Sequence, residues 1–341
     1  MIISATYIIL YSIICFREEF FMAIIKKDAY FISSTAVNKI HCCIWQDDEK
    51  EHKGVFQIAH GVSEHIERYD ELARFLASEG YIVCGNDHLG HGKSVDSLDD
   101  HGFFAEEDGD KRMIYDMHIL YSIMHKRYPE LPYYLFGHSM GSFCARVYAT
   151  AFWNELSALI LCGTGELPSA AVVLEEPIRF LCKKLGARAQ ASNAILDKLS
   201  TLFVKDARTN KDWLSRNEAN VDAYIADPLC GADLKLGGVR DLISLANSCC
   251  TSDWAYQIPP SLPILLISGA KDPIGFNGKG VINVCDNLED AGHEPKVILY
   301  PGDRHEILNE DDRENVFKDV LAFLKSVSEP MDLSTLEGMF A

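Results

Sequence analysis

Residues 137–141, with the sequence Gly-His-Ser-Met-Gly, constrain this chain more than any other stretch. An apolar run at 133–136 predicts a strand before them, and residues 142–148 are compatible with a helix after them. A sharp strand-to-helix turn brings the residues two positions before and after its centre close together, where side chains would clash. The two glycines therefore predict a strained turn that exposes the hydroxyl group of Ser139.

Two later segments offer partners for this serine. The buried-strand pattern at 264–269 breaks off into Ala-Lys-Asp-Pro, which places Asp272 at the carboxyl end of a strand. A second strand pattern at 296–300 is followed by a turn that carries His305. Because the carboxyl ends of parallel strands meet at one edge of a sheet, we expect Ser139, Asp272 and His305 to lie together there.

These three residue types suit nucleophilic catalysis. A serine hydroxyl is a weak nucleophile until a base takes its proton, and histidine titrates close enough to neutrality to accept that proton and return it. An aspartate fixes the imidazole tautomer and stabilises the imidazolium. Asp303 is the rival acid, but it lies in the same turn as His305, so Asp272 is preferred.

Two backbone N–H groups are expected to bind the oxyanion that forms during acyl transfer. One belongs to Met140, the residue after the serine. The other is assigned to Val62, because the strand pattern at 54–59 ends in a His-Gly pair, where the backbone can turn an N–H inward. His-Gly occurs twice more in the chain, but only this pair precedes a long amphipathic helix, predicted at 68–78.

Six segments between residues 30 and 325 carry a family resemblance. They are residues 60–65 with Arg68 and Tyr69, then 87–94, 137–141, 227–229, 269–275 and 302–310. Together they resemble the monoglyceride lipase and lysophospholipase branch of the serine α/β hydrolases, and residues 271–280 are similar to its bacterial members. The resemblance implies a mostly parallel eight-stranded sheet flanked by helices, with a helical lid inserted after strand 6.

Alternating strand and helix patterns from residue 54 onward independently predict an α/β fold with one parallel-sheet core. Strands are expected near residues 29–33, 40–45, 55–59, 81–86, 133–137, 158–162, 264–268 and 296–300. The net charge of −18 argues against a nucleic-acid partner, because phosphate neutralisation needs clustered lysine and arginine.

A long insertion interrupts the predicted core. The expected divisions are an apolar extension at 1–21, a first core part at 22–163, a helical lid or cap at 164–245, a second core part at 246–328 and an acidic tail at 329–341. Acidic residues and proline at its start, lysines at its end and Gly186 beyond predict a helix at 175–185. A second apolar stripe runs from 195 to 203. Most of these apolar faces should pack on the core, and part should roof an apolar tunnel for an acyl chain.

The eleven cysteines do not have the pattern of a disulfide scaffold. Cys84 and Cys162 lie inside apolar strand patterns, and an odd number of cysteines in a large chain favours free thiols in a reducing, cytoplasmic compartment. The chain contains neither Cys-x-x-Cys nor His-Glu-x-x-His, so we expect no metal site, and no cofactor.

The amino-terminal segment 1–16 is strongly apolar, but it is shorter than the ~20 residues of a spanning helix. It also lacks the positive region and cleavage site of a secretory signal. The alternatives are a weak membrane anchor, a poor signal, or an upstream start codon before a true start at Met22. We favour the last, because Met22 leads directly into the first predicted strand.

The residues and the resemblance together predict a serine hydrolase of lipid carboxylic esters, with monoacylglycerol or lysophospholipid as substrate. Two alternatives stay open. Amide or peptide hydrolysis by an aminopeptidase-like relative would need an acidic lid residue to bind the substrate amine. A non-catalytic binding protein on the same fold would need a damaged triad. Transient contact between the lid and a membrane surface is a further expectation.

Overall fold

The computed structural model describes residues 24–166, 173–191, 204–205, 207–250 and 252–328. Within these ranges, eight strands form one sheet in the order β1-β2-β4-β3-β5-β6-β7-β8. The strands are β1 (Ile24–Ile32), β2 (Lys39–Asp47), β3 (Gly54–Ala59), β4 (Tyr81–Asn86), β5 (Tyr133–His138), β6 (Ala158–Cys162), β7 (Ile264–Gly269) and β8 (Lys296–Tyr300).

The sheet is antiparallel at one edge and parallel elsewhere. Strand β2 pairs antiparallel with both β1 and β4, whereas all the later pairs are parallel. Strands β3 to β7 are buried along their whole length, as parallel strands covered on both faces must be. The predicted mostly parallel eight-stranded architecture is confirmed. The main difference is β1, which begins at Ile24 because it pairs with β2 as far as Asp47.

Helices cover both faces of this sheet. They are α1 (Asp70–Ser78), α2 (Gly109–Arg127), α3 (Met140–Phe152), α4 (Glu175–Leu185), α5 (Glu218–Ala226), α6 (Leu236–Cys249), α7 (Lys279–Asp290) and α8 (Arg313–Ser328). Helices α1 and α8 pack on one face, and α2, α3 and α7 pack on the other. The helix predicted at 68–78 starts as a 3₁₀ turn at Ile66–Tyr69 and continues as α1.

The insertion runs from the end of β6 to the start of β7 and carries α4, α5 and α6. Helix α4 has the predicted bounds, and Gly186 follows it with a φ of 91°. Helix α6 packs against α2 and α3, and the predicted domain boundary at residue 245 falls inside it. The apolar extension 1–21, the stripe 195–203 and the tail 329–341 lie outside the described residues. None of the described helices has the length and apolar character that a bilayer span requires.

Candidate active site

Ser139 lies on the tight turn between β5 and α3. Its φ of 53° and ψ of −121° are a strained conformation for a residue with a side chain. A Cβ on Gly137 would lie 2.2 Å from the carbonyl oxygen of Gly141, and one on Gly141 would lie 2.0 Å from that of Ala59. The turn can therefore form only with glycine at both positions, as the sequence pattern predicts.

Asp272 and His305 meet where β7 and β8 end. The Nδ1 atom of His305 lies 2.8 Å from Oδ2 of Asp272, and both side chains are buried. His305 and Ser139 line the same cavity, and the imidazole of His305 lies 4.9 Å from that of His138, the neighbour of Ser139. The rival Asp303 is also buried, but its carboxylate pairs with Arg216. Asp272, and not Asp303, is therefore the carboxylate that contacts the imidazole of His305.

The surroundings of His305 adjust its basicity. Burial disfavours the imidazolium, but the carboxylates of Asp272 and Glu306 favour it more, so the pKa of His305 is raised above its usual value. Because Nδ1 is held by Asp272, the Nε2 atom remains for proton exchange. A raised pKa makes the neutral imidazole a stronger proton acceptor.

The two predicted oxyanion donors are the backbone N–H groups of Met140, which follows Ser139 in the chain, and of Val62. Met140 is the first residue of α3, where backbone N–H groups have no acceptor within the helix. Val62 lies in the loop after β3 and lines the same cavity as Ser139. Neither N–H donates to another described residue. Within the described part of the chain, both N–H groups are therefore without a protein acceptor.

A buried ionic cluster, which the sequence analysis did not identify, supports this site. It consists of Glu64, Arg68 and Glu306, and we call it the Arg68 cluster. The guanidinium of Arg68 donates a hydrogen bond to a carboxylate oxygen of Glu64 at 2.7 Å. It also donates to the two carboxylate oxygens of Glu306, at 2.6 and 2.7 Å. Burial alone would raise the pKa values of both carboxylates. The hydrogen bond with His138 and the charge of Arg68 lower the pKa of Glu64 below its usual range, and Arg68 does the same for the pKa of Glu306. All three positions fall in the motif segments, but sequence alone does not pair them.

The Arg68 cluster fixes the loops that carry the candidate site. Glu64 accepts hydrogen bonds from the N–H of Gly61, at 2.6 Å, and from the hydroxyl of Tyr69, at 2.8 Å. Its carboxylate also lies 3.2 Å from Nδ1 of His138. Glu306 directly follows His305 in the chain. One guanidinium thus holds together the loop with Val62 and the loop with His305.

The inner part of the insertion, residues 207–235, forms the opposite wall of the cavity. The N–H of Glu306 donates to the carbonyl of Leu214 at 2.7 Å, and the N–H of Gly231 donates to that of Ser63 at 2.8 Å. The indole ring of Trp213 lies 5.4 Å from the imidazole of His305. These contacts attach the inner part to the loop after β3 and to the loop that carries His305.

The outer part of the insertion, residues 173–191, packs on α6 through α4 and pairs with Asp100 and Glu106 through Arg188. Its helix α4 leaves Phe180 and Leu185 largely exposed. Within the described residues, the cavity beside Ser139 measures only about 50 Å³. Ligand sites typically measure roughly 300–1,000 Å³, so this cavity is smaller than a typical ligand site.

Comparisons with known proteins agree with this geometry. A sequence profile described as serine aminopeptidase, S33, matches residues 50–312. The chain belongs to this family. Among its relatives, human monoglyceride lipase is 30% identical over 74% of this chain and 75% of its own length. The monoacylglycerol lipase of Mycolicibacterium smegmatis is 29% identical over 83% of this chain and 91% of its own.

The solved structures identify the same fold. This chain matches a thermostable carboxyl esterase from Bacillus coagulans with a TM-score of 0.83. The two are 30% identical, and the match covers 89% of this chain and 99% of the esterase. These findings confirm the resemblance to monoglyceride lipases that the sequence motifs indicated.

Proposed function

We propose that this protein is a serine hydrolase that cleaves carboxylic esters of lipids, with monoacylglycerol as the favoured substrate and lysophospholipid as the second. The observation that carries the proposal is the strained Ser139 in one cavity with His305, whose imidazole is held by Asp272. No cofactor is required for this chemistry, because the side chains themselves supply nucleophile, base and acid.

The proposed reaction has two halves. The Oγ atom of Ser139 attacks the acyl carbonyl while Nε2 of His305 takes its proton, and the N–H groups of Val62 and Met140 bind the oxyanion. His305 then protonates the departing alcohol, which leaves an acyl ester on Ser139. Water attacks this ester with the same proton transfers and releases the fatty acid. Asp272 keeps its charge throughout and stabilises the imidazolium.

The cavity favours an ester over a peptide with a free amino terminus. Aminopeptidase activity needs a carboxylate that can bind the substrate ammonium. Glu64 and Glu306 are the carboxylates among the described residues that line the cavity, and Arg68 pairs with both of them. Leu214, Leu234 and Leu242 form an apolar part of the lining that suits an acyl chain.

A substrate panel tests this choice. We expect kcat/KM for a long-chain monoacylglycerol to exceed that for an aminoacyl amide by roughly 100-fold or more, because an ammonium buried without a carboxylate loses about 3 kcal/mol. Lysophosphatidylcholine and p-nitrophenyl esters complete the panel. Faster release of product from the aminoacyl amide would contradict the proposal and support the aminopeptidase alternative.

The proposed lipid substrate requires contact with a membrane surface, which we assign to α4. Val173, Leu174, Phe180, Leu181 and Leu185 form exposed apolar surface on or beside this helix. Lys183 and Lys184 lie in its last turn. An amphipathic helix of this kind can lie in the interface with its apolar face among the acyl chains.

Paired substitutions test the role of α4 separately from catalysis. We expect the double variant Phe180→Asp/Leu185→Asp to hydrolyse monoacylglycerol in phosphatidylcholine vesicles at roughly one tenth of the wild-type rate or below. The reason is that each apolar side chain buried in the membrane contributes about 1.5–3 kcal/mol to binding. Hydrolysis of soluble p-nitrophenyl acetate should not change. The matched control is Val37→Asp, an exposed apolar residue on the β1–β2 turn. Equal losses on both substrates would contradict the membrane role.

A further inference from the structure

Three potential metal ligands lie together on the antiparallel edge of the sheet, far in sequence from the candidate active site. Asp28 on β1 pairs directly with Cys43 on β2, and His41 precedes Cys43 by two residues on the same face. Oδ1 of Asp28 lies 2.9 Å from Nε2 of His41 and 3.7 Å from Sγ of Cys43. Sγ of Cys43 lies 3.8 Å from the same imidazole nitrogen.

These separations suit a tetrahedral zinc ion. Zinc binds sulfur at about 2.3 Å and nitrogen or oxygen at about 2.0–2.2 Å, so neighbouring ligands in a tetrahedron lie roughly 3.4–3.6 Å apart. The two distances to sulfur, 3.7 and 3.8 Å, lie just above this range. The 2.9 Å distance between Asp28 and His41 is a hydrogen bond that would lengthen by about 0.5 Å on metal binding. Small side-chain shifts would therefore complete three corners of the coordination shell, and the half-exposed Asp28 leaves the fourth corner open to water.

The imidazole of His41 is held in the orientation that a metal ligand needs. Its Nδ1 atom lies 2.8 Å from Oδ2 of Asp87. Asp87 is itself fixed by the N–H groups of Ile66, at 2.8 Å, and Lys93, at 2.7 Å. A carboxylate on one imidazole nitrogen, with the other nitrogen directed at the site, is the usual arrangement around protein-bound zinc.

The local charges also leave room for a divalent cation. Three carboxylates, those of Asp28, Glu67 and Asp87, surround the ammonium groups of Lys26 and Lys93. Burial raises the pKa of the Cys43 thiol, which would become a thiolate only on binding the metal. Both lysines bind Glu67, and the Nζ atom of Lys93 lies 3.7 Å from Asp28, beyond hydrogen-bond range. With Cys43 as thiolate, one doubly charged ion would make the cluster formally neutral.

The geometry points to a zinc-binding site formed by Asp28, His41 and Cys43, with water as the fourth ligand. Thiolate and imidazole select zinc over calcium or magnesium, which prefer oxygen ligands. Binding forms bonds from the metal to Oδ1, Nε2 and Sγ, and releases the thiol proton of Cys43 and any proton on Nε2 of His41 to solvent. The ion would tie β1 to β2 and, through Asp87, to the loop after β4.

Cobalt(II) titration of the purified full-length protein tests the site. Tetrahedral Co²⁺ bound to a thiolate has a sulfur-to-metal charge-transfer absorption, and we expect it to saturate at one ion per chain and to disappear when Zn²⁺ is added. Zn²⁺ should also raise the thermal unfolding temperature, because it binds the folded state. No charge-transfer band at stoichiometric cobalt would overturn the proposal.

Single cysteine variants identify the ligand. Cys43→Ser should lose the band, whereas Cys42→Ser should keep it, because Cys42 packs on the opposite face of the sheet. Cys230→Ser is a second control, since Cys230 belongs to a separate cluster with His65 and Asp227. A band that persists in Cys43→Ser, or is lost in either control, would contradict the assignment.

A variant at the exposed ligand provides a test that does not depend on folding of Cys43→Ser. Asp28→Asn removes one charged ligand at a half-exposed position, and we expect its affinity for Zn²⁺ to fall about tenfold or more. Circular dichroism should show an unchanged fold. Unchanged affinity in folded Asp28→Asn would overturn the proposal.

Discussion

Replacing Ser139 with alanine should lower kcat for ester hydrolysis by roughly 10⁶-fold, because the proposed nucleophile is lost while substrate binding remains. The same variant should no longer be labelled by a fluorophosphonate. The matched control is Ser63→Ala, which removes another serine that lines the cavity. The hydroxyl of Ser63 donates to the carbonyl of Ala232 at 2.8 Å, so this variant should still be labelled.

Combining substitutions tests whether the three residues act as one unit. His305→Ala should cost about as much as Ser139→Ala, and Asp272→Asn about 10⁴-fold, because the imidazole loses its tautomer. The variant without both Ser139 and His305 should be no slower than either single variant, since a serine without its base does not react. Additive losses, or strong activity in Ser139→Ala, would contradict the proposed mechanism.

Removing the guanidinium of the Arg68 cluster should produce the largest loss of stability. We expect Arg68→Met to lower the free energy of unfolding by about 3–5 kcal/mol, because Glu64 and Glu306 would be left buried without a counter-charge. Denaturant unfolding at neutral pH measures this loss. The difference from the wild type should shrink as the pH falls, because the stranded carboxylates can then take up protons.

Two further variants separate charge burial from simple loss of a side chain. Arg74→Met removes an arginine on α1 that pairs with Asp70 at 2.6 Å on the surface, and it should cost only about 0.3–0.5 kcal/mol. Adding Glu64→Gln and Glu306→Gln to Arg68→Met should recover part of the stability. Similar losses in Arg68→Met and Arg74→Met would show that the cluster does not have the energetic role assigned to it.

The sequence predicts this fold well where local physics determines the structure. Buried parallel strands are near-continuous apolar runs, so β3 to β8 could be located to within about two residues. The two ends of helix α4 can be predicted from the acidic residues at its start and from Gly186 after its end. Acidic side chains favour the amino-terminal end of a helix, and glycine commonly follows the carboxyl-terminal end. The first and last residues of the edge strand β1 were the hardest to predict. This half-exposed strand begins with Ile-Ile-Lys-Lys and lacks the regular alternation of apolar and polar residues.

Only part of the candidate site can be predicted from the sequence. The turn at Ser139 and the strand ends before Asp272 and His305 are local features, so a sequence can show them. Arg68 and Glu306 are 238 residues apart, and nothing in the sequence indicates that they meet. The ligands of the proposed zinc site lie on two strands, and their pairing depends on strand register, which a search for short metal motifs does not consider.

The two parts of the insertion differ in how they are attached to the rest of the protein. The inner part is bonded to the loops beside Ser63 and Glu306, so it cannot lift away without disturbing them. The outer part carries the exposed face of α4, and backbone hydrogen bonds join its residues 187–191 to residues 234–237. We therefore expect substitutions on the exposed face of α4 to leave the attachment of the inner part to the core unchanged.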